Sequence, residues 1–390
     1  MSQYILLNRI KVQDANTIAG ITWGFPAITG FLGFVHALSL KLKKSDFAGV
    51  SLDEKVMIAS HEFEHQTYVN DYQITRFSQR RGANIYSDTK SDKKDKTMTR
   101  IEEGRMDLTI SMLIPITGRV SANKKDRFTS FIERIVQLMR IASGSVLEIG
   151  SIELLTLDES NPTNKILLKR KLTPGFILQD CPDVLQKHFE SEKTSKPDID
   201  LVDAWLDFLA LKYKARPVTN LIDKYLVALA KSNNSGDSRD LLEMWQKHLQ
   251  LPYDKNLIPV ELKVYFSKIN TNEHYELHFQ WQKYCHPDEK TKADWEHVAK
   301  PEKGYLVPLM IGYRQISESS NDIENLRGVH KSQGIDKWDF ENAYFVEALY
   351  GVGKWIFSNQ IDFDNFSQYF WETEFCNKSK SYCCASNINN

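Results

Sequence analysis

Apolar and polar residues alternate along several short segments of the chain, and this period of two predicts extended strands. The segments with this pattern are 3–12, 54–70, 106–116 and 146–157. Helical spacing occupies the stretch from Pro26 to about Leu42 and the stretch 127–142. The predicted order is strand, helix, strand, a long polar segment, strand, helix, strand. This is the split βαβ order of a ferredoxin-like or RRM-like domain.

The second half of the chain has a more helical character. Helical spacing recurs in residues 182–192, 201–213, 217–232 and 238–249. The pattern also predicts a β-hairpin over 261–281, a strand over 304–313 and a largely apolar helix over 342–358. We therefore expect an α+β fold with three parts: an RRM-like domain over 1–180, a mainly helical insertion over 181–300, and a C-terminal segment over 301–390 that packs back on the core.

Composition narrows the class of protein. With 390 residues, 42% of them hydrophobic, and a mean hydropathy of −0.43, the chain reads as a soluble globular protein with a large core. Its apolar runs are shorter than the roughly 18 residues that span a bilayer, so no membrane association is expected. Polar Asn8, Arg9 and Lys11 interrupt the first apolar stretch, which is unlike a signal peptide. Five cysteines without paired metal spacing indicate a reduced, cytoplasmic protein.

The net charge of −1 means that any binding of nucleic acid requires cations concentrated on one surface. Residues 71–103 form a polar, basic segment that begins with Arg76, Arg80 and Arg81. A loop of this length inside a compact domain is usually functional or disordered. These arginines suit phosphate clamping, but mixed charge of this density is equally typical of a solvated loop.

Two other features of the sequence are compatible either with binding of nucleic acid or with a purely structural role. The basic triplet Lys169–Lys171 precedes a Pro-Gly turn, where backbone N–H groups can approach a phosphate closely, although a plain turn is the alternative. Trp23 precedes a Gly-Phe-Pro sequence and could stack on a base or close the end of the core.

Motifs that would indicate catalysis do not meet the requirements of their chemistry. Residues 61–65 match the H-E-x-x-H pattern of zinc proteases, but their flanks fit a strand, in which two histidines four apart are separated by about 13 Å. The segment Gly351–Lys354 lacks the spacing of a phosphate-binding loop. We therefore predict no catalytic residue, no metal and no cofactor.

Eight blocks of sequence, in a consistent order, carry a resemblance to a known family. They are LLNRIKVQDANTIAGITWGFP (6–26), GFLGFVHAL (30–38), HEFE (61–64), IEEGRMDLTISML (101–113), LMRIASGSVL (138–147), RKLTPGFIL (170–178), GYLVPLMIGY (304–313) and FVEALYGVGKWI (345–356). Together they resemble the RAMP subunit that binds the 5′ handle of CRISPR RNA in the type I-F (Csy) surveillance complex. The second histidine of the zinc-like motif lies outside these blocks.

The resemblance implies an RRM-like RAMP core with a basic, thumb-like insertion at about 71–103. It implies a non-catalytic subunit that holds the 5′ handle of CRISPR RNA together with the large subunit, beside a backbone RAMP subunit. Such a complex recognises target DNA by guide pairing while its proteins contact RNA geometry and backbone. The residues expected to bind RNA are Gln13, Asn16, Trp23, Arg76, Arg80, Arg81, Arg105, Arg140, Ser143, Gly144, Arg170 and Lys171. Their cations are expected along one rim of the sheet.

The chain departs from the family pattern between about Arg216 and Lys300, where it contains more residues than expected. That segment either enlarges a contact with the large subunit or the target DNA, or is a surface elaboration.

The alternative function is a RAMP endoribonuclease that processes CRISPR RNA precursors, with His36 or His61 as its base, although His36 lies in an apolar helix and is expected to be packed. A scaffold that contacts only protein partners is the third possibility.

Overall fold

The computed structural model describes residues 2–47, 49–71, 75–81, 100–157, 161–233, 235–288, 292–316 and 345–386. The chain divides into two compact units. The first unit contains Met1–Leu209 and Glu302–Asn390, and the second contains Ala210–Pro301. Within the described residues, no helix combines the length and the apolar character that crossing a membrane requires.

The described strands, in chain order, are β1 (Ser2–Asn16), β2 (Ile18–Ala19), β3 (Thr22–Trp23), β4 (Ser51–Leu52), β5 (Lys55–His65), β6 (Thr67–Val69), β7 (Thr75–Phe77), β8 (Gln79–Arg81), β9 (Arg100–Glu102), β10 (Arg105–Thr117), β11 (Arg140–Ile141), β12 (Gly144–Leu157), β13 (Phe176–Asp180), β14 (Tyr213–Pro217), β15 (Ala293–His297), β16 (Tyr305–Gln315), β17 (Val346–Phe357), β18 (Trp371–Cys376) and β19 (Ser381–Ser386). The described α-helices are α1 (Ile28–Lys43), α2 (Lys125–Val136), α3 (Pro162–Leu172), α4 (Pro182–Ser195), α5 (Leu201–Leu209), α6 (Asn220–Ser232), α7 (Gly236–Gln250), α8 (Val260–Ser267) and α9 (Tyr275–Cys285).

Four antiparallel strands in the order β12–β1–β10–β5 form the centre of the first unit. Helix α1 follows β1 in the chain and α2 follows β10, and both helices cover the same face of these strands. Alternate residues of β1, such as Ile5 and Leu7, are buried there with Phe31 of α1 and Phe128 of α2. The alternating pattern therefore predicted these four strands, and the structure confirms them as part of a large antiparallel sheet.

The outer edge of β5 is divided between two strands. Ser60 and Ala59 pair with β13, whereas Val56 and Lys55 pair with β18. From β13 the pairing continues through β17, β16 and β19 to β18, so six strands close into a ring that includes β5. A second apolar cluster covers part of the other sheet face, where α3 and the segment around Phe366 pack over β1 and β10.

Two sequence predictions of local structure are wrong. The apolar helix predicted over 342–358 is wrong, because Val346–Phe357 is strand β17 and pairs with β13 on one side and β16 on the other. A continuous apolar run does not distinguish a buried strand from a buried helix, and these distant partners decide the outcome. Residues 261–281 do not form a hairpin, since they belong largely to helices α8 and α9. Leu262 and Phe266, four positions apart, both enter the core.

The second unit has a hydrophobic core of its own. Trp245, Phe266, Trp281 and Tyr284 are buried at its centre, and the rings of Phe266 and Trp281 stack with their centroids 4.2 Å apart. Strands β14 and β15 pair with each other beside helices α6 to α9. By contrast, α4 and α5 cluster with the first unit, where the indole N–H of Trp205 donates to the carbonyl of Gly351 at 2.9 Å.

Candidate nucleic-acid interface

The C-terminal end of β1 brings several predicted residues together. Its last residue, Asn16, donates its backbone N–H to the carbonyl of Ala142 at 2.9 Å. The Asn16 side chain closes its own turn, because its amide donates to the carbonyl of Ile18 and its oxygen accepts from the Ile18 N–H. Asn16 therefore holds the loop after β1 against the hairpin formed by β11 and β12.

The β11–β12 hairpin presents two predicted residues to solvent and buries a third. Arg140 is exposed and donates to the carbonyl of Ser143, whose side chain is also exposed. Gly144 is buried, and a Cβ atom built on it would lie 2.5 Å from Cγ1 of Val12 and 2.7 Å from the carbonyl oxygen of Gln13. Gly144 thus sets the close approach of β12 to β1, while Arg140 and Ser143 are available to a ligand.

A cavity of about 520 Å³ is lined both by this hairpin and by the start of α1. Asn16, Thr29, Ser143 and Tyr313 contribute polar groups to its wall, and none of the described residues that line it carries a carboxylate. The N-cap residue of α1, Ala27, has no capping side chain, and the first turn of the helix contains no acidic residue. The first N–H groups of a helix carry partial positive charge, although in α1 the N–H of Gly30 already donates to the carbonyl of Ala27 at 3.0 Å. The start of α1 therefore contributes a weak positive potential to the cavity.

A cluster of aromatic rings lies beside the loop after β1. The ring centroid of Trp23 is 4.8 Å from that of His65 and 5.5 Å from that of Phe77. Trp23 is 43% exposed and Phe63 is 63% exposed, so both offer surface on which a base can stack. Sequence reasoning identified Trp23 but missed Phe63 and His65. The sequence offered one clue to Phe63, which is an apolar residue between Glu62 and Glu64 in a predicted strand.

The base of the predicted thumb is formed by two small antiparallel pairs, β6 with β7 and β8 with β9. Arg76 is exposed on β7. The backbones of Arg80 and Arg81 belong to β8, but their side chains lie outside the described part of the chain, as do residues 72–74 and 82–99. Their predicted contacts with phosphate therefore stay predictions.

Arg105 is tied into the protein. Its guanidinium donates to the carboxylate of Glu103 and to the carbonyl of Asp14, each at 3.1 Å, and its side chain is only 24% exposed. These contacts join the start of β10 to the end of β1. The geometry gives Arg105 a role in holding the loop in place.

A sequence model of the CRISPR-associated protein Csy2 family matches residues 5–235 and 273–384. The chain belongs to the Csy2 family. Csy2 of Pseudomonas aeruginosa (strain UCBPP-PA14) is 31% identical to it over 227 residues. That alignment covers 54% of this chain and 65% of the length of the relative. The gap between the two matched ranges, 236–272, contains α7 and α8 of the second unit.

Arg170 and Lys171 of this Csy2-family chain lie on α3, away from the cavity. Lys171 pairs with Glu153 at 2.6 Å, whereas Arg170 is exposed. Glu153 is the partner of Leu6 in the sheet, and Leu6 precedes Asn16 by ten residues on β1, which corresponds to about 30 Å. The structure therefore does not bring Arg170 and Lys171 to the other predicted RNA-binding residues.

The zinc-like motif of this Csy2-family chain lies in an extended strand, as predicted, because both of its histidines belong to β5. His61 donates to the carbonyl of Pro174 at 2.6 Å, and its other ring nitrogen is hydrogen-bonded to the hydroxyl of Ser111 at 2.7 Å. Burial lowers the pKa of His61. These contacts fix the turn after α3 against the sheet.

The other two features considered for catalysis are also engaged in structural contacts. His36 is not packed as expected: it is exposed and lies 2.8 Å from a carboxylate oxygen of Glu54, because its position falls on the polar stripe of α1. The segment Gly351–Lys354 belongs to β17, where a Cβ on Gly353 would lie 2.5 Å from a methyl carbon of Leu309. Close strand packing therefore explains the glycine.

Proposed function

We propose that this chain is a non-enzymatic subunit of a type I-F Csy surveillance complex in the cytoplasm, and that it binds the 5′ handle of CRISPR RNA. Its proposed partners are the large subunit and a backbone RAMP subunit, with target DNA recognised through the complex. The observation that carries the proposal is the match to the Csy2 family, which covers most of the first unit and both ends of the second unit.

We further propose that the centre of the first unit is an RRM-like RAMP core. The support is topological, since the chain runs through β1, α1, β5, β10, α2 and β12 while the strands lie in the order β12–β1–β10–β5. A ferredoxin-like domain has this chain order, with both helices on one face. The second unit is then an insertion between β13 and β16, accompanied by α4 and α5, which pack with the core.

The charges on the sheet bear on where RNA can bind. The face of the sheet opposite α1 and α2 contains a shallow depression whose lining includes Glu62, Glu64 and Asp107. Lys11 also lines it, but its ammonium group is paired with Glu148 at 2.6 Å. Gln13 lies in the same depression. Carboxylates repel phosphates at short range, so an RNA strand is disfavoured across this face.

The proposed RNA site is instead the end of the sheet where β1 finishes. Backbone N–H groups at the start of α1 and the guanidinium of Arg140 would bind phosphates, and the hydroxyl of Ser143 would add a hydrogen bond. Trp23 would stack on a base, whereas Phe63 lines the acidic depression and is assigned no contact with RNA. Arg76, with Arg80 and Arg81, would close over the strand from the thumb.

The remaining predicted residues have different proposed roles. Gly144 and Arg105 position the loops around the site and need no direct contact with RNA. Arg170 would reach a separate stretch of the RNA or a neighbouring subunit, since α3 is about 30 Å from the cavity along β1. Lys171 is held by Glu153 and supports α3.

The proposal is tested with Arg140→Gln in the full chain, using a labelled RNA that carries the 5′ handle. Arg119→Gln is the matched control, because Arg119 is equally exposed but follows β10 at the opposite end of the sheet. For single-stranded RNA, losing one phosphate contact should make the slope of log affinity against log salt less steep by about 0.7. We expect this change for Arg140→Gln and none for Arg119→Gln. Equal slopes for both variants would contradict the assignment of the site.

A further inference from the structure

A second electropositive site lies at the other end of α1. The cavity there has a volume of about 660 Å³ and separates the last turn of α1 from α2. We call it the α1–α2 cleft and define it by its four cations, Lys41, Lys44, Arg127 and Arg134. The predicted RNA-binding set includes none of these residues.

Helical spacing explains why the cations converge. Arg127, Phe131 and Arg134 lie at positions i, i+4 and i+7 of α2, which place them on one face of the helix. Lys41 and Lys44 are three residues apart at the end of α1 and face the same cavity. Lysines at this position also offset the negative end of the helix dipole, so they alone would not indicate a ligand.

The helix dipole does not explain the arginine in the first turn of α2. Arg127 lies close to the positive end of the helix dipole, which disfavours a cation, and it forms an ion pair with Asp46. Among the described residues, Lys41 and Lys44 form no ion pair, and both are exposed. The cleft therefore has four cations and one lining carboxylate, an excess of positive charge in a protein whose net charge is −1.

The aromatic rings in the cleft identify the kind of nucleic acid that fits it. The guanidinium carbon of Arg127 lies 6.0 Å from the ring centroid of Phe47, and that of Arg134 lies 5.8 Å from the ring of Phe131. Phe47 is also buried. Because the arginines lie over these rings, the cleft offers charge without a free aromatic face. Single strands are usually held by stacking of bases on aromatic rings, whereas the base faces of a duplex are stacked inside and its phosphate backbone lies on the outside.

We infer that the α1–α2 cleft binds the phosphate backbone of double-stranded DNA. Helix α1 has 16 residues and is therefore about 24 Å long, so the cleft is one helix length from the cavity proposed for RNA. The identification of this duplex as the DNA surveyed by a Csy complex rests on the proposed function. The electrostatic contact itself is a property of this chain.

The inference is tested by titrating the full chain with a fluorescein-labelled DNA duplex at increasing salt. In the triple variant Lys41→Gln/Lys44→Gln/Arg134→Gln, the slope of log affinity against log salt should be less steep by about 2.7, at about 0.9 per phosphate contact. Between about 50 and about 200 mM salt, the wild type should therefore lose about 40-fold more affinity than the variant. Thermal unfolding should be unchanged, because the three side chains are exposed.

Two lysines in the same helical turn provide the matched control. Lys41 and Lys43 both lie in the last turn of α1, but only Lys41 lines the cleft. Lys41→Gln should reduce the steepness of the slope by about 0.9, and Lys43→Gln should leave it unchanged. Equal effects of these substitutions, an unchanged slope in the triple variant, or loss of binding to handle RNA in place of duplex DNA would overturn the inference.

The same preparations distinguish failure of the inference from failure of the proposed function. Expression together with a CRISPR array tests whether RNA bearing the 5′ handle co-purifies with the chain. DNA binding through the cleft without CRISPR RNA would contradict the proposed function alone. Retention of CRISPR RNA together with DNA binding that does not depend on the cleft would contradict the inference alone.

Discussion

Replacing Gly144 with alanine should deform the candidate RNA site, and the structure gives the size of the effect. The added Cβ would lie 2.5 Å from Cγ1 of Val12, 2.7 Å from the carbonyl oxygen of Gln13 and 2.9 Å from the backbone nitrogen of Ala15. Two of these atoms belong to the backbone of β1, which is paired with β10 on one side and β12 on the other. These two backbone atoms cannot rotate away, so we expect the free energy of unfolding to fall by about 1–3 kcal/mol, as for other overpacked sites.

The same substitution in α1 should have the opposite sign. Gly33 is an exposed residue inside the helix, and no atom of a neighbouring residue lies within 4 Å of the position its Cβ would take. Alanine is favoured over glycine in a helix interior by about 0.5–1 kcal/mol. Gly33→Ala should therefore raise the free energy of unfolding, whereas Gly144→Ala should lower it.

Urea denaturation followed by circular dichroism, combined with binding of labelled 5′-handle RNA, measures both consequences. Gly144→Ala should weaken RNA binding because displacement of the hairpin moves Ser143, which lines the cavity, together with Arg140, which donates to the Ser143 carbonyl. Gly33→Ala should leave RNA binding unchanged. Wild-type stability of Gly144→Ala would refute the close approach of β12 to β1. Reduced stability with intact RNA binding would refute the position of the site.

Two further predictions concern buried charges. Burial raises the pKa of Asp180 to about 6 from its ordinary value of 3.8, so the folded chain keeps a proton that the unfolded chain releases. The free energy of unfolding should therefore fall by up to about 3 kcal/mol as the pH rises from about 4 to about 6. Urea denaturation at several pH values measures this dependence, and Asp180→Asn should abolish it. An unaltered pH dependence in the variant would exclude Asp180 as its source. In the second unit, Arg216 donates to the carbonyls of Leu249 and Leu251 at the end of α7 and pairs with Glu296. Arg216→Ala should destabilise this unit by about 3 kcal/mol, and Arg216→Lys should destabilise it by less. The loss is measured as faster hydrogen exchange in α7, with exchange in β1 as the control. Unchanged protection of α7 would show that these contacts are not stabilising.

The parts of the fold that sequence predicted are those specified by local pattern. Strands β1, β5, β10 and β12 alternate because one face packs against α1 and α2, and that alternation is visible in the sequence. Strand β17 was missed because its apolar residues are contiguous and its pairing partners, β13 and β16, are distant in the chain. No local pattern records which distant segment will supply a hydrogen bond.

The candidate site shows the same limit at the level of side chains. Asn16 and Ala142 are brought together only by the pairing of β1 with β12, and the sequence could offer no more than suitable residue types. Arg105 was predicted to bind RNA, and its contacts with Glu103 and Asp14 become apparent only in three dimensions. The α1–α2 cleft was missed since its cations are distributed over two helices.

The two ends of helix α1 attract anions for different reasons, and only one of these reasons involves basic residues. At its N-terminal end, the helix dipole supplies positive potential without any lysine or arginine, so the cavity beside Asn16 leaves no trace in a count of charges. At its C-terminal end the dipole is negative, and an anion site there requires explicit cations, which Lys41 and Lys44 provide together with α2. A single helix can thus present two electropositive ends, about 24 Å apart, by different physical means. A net charge near zero is therefore compatible with two separate contacts to nucleic acid.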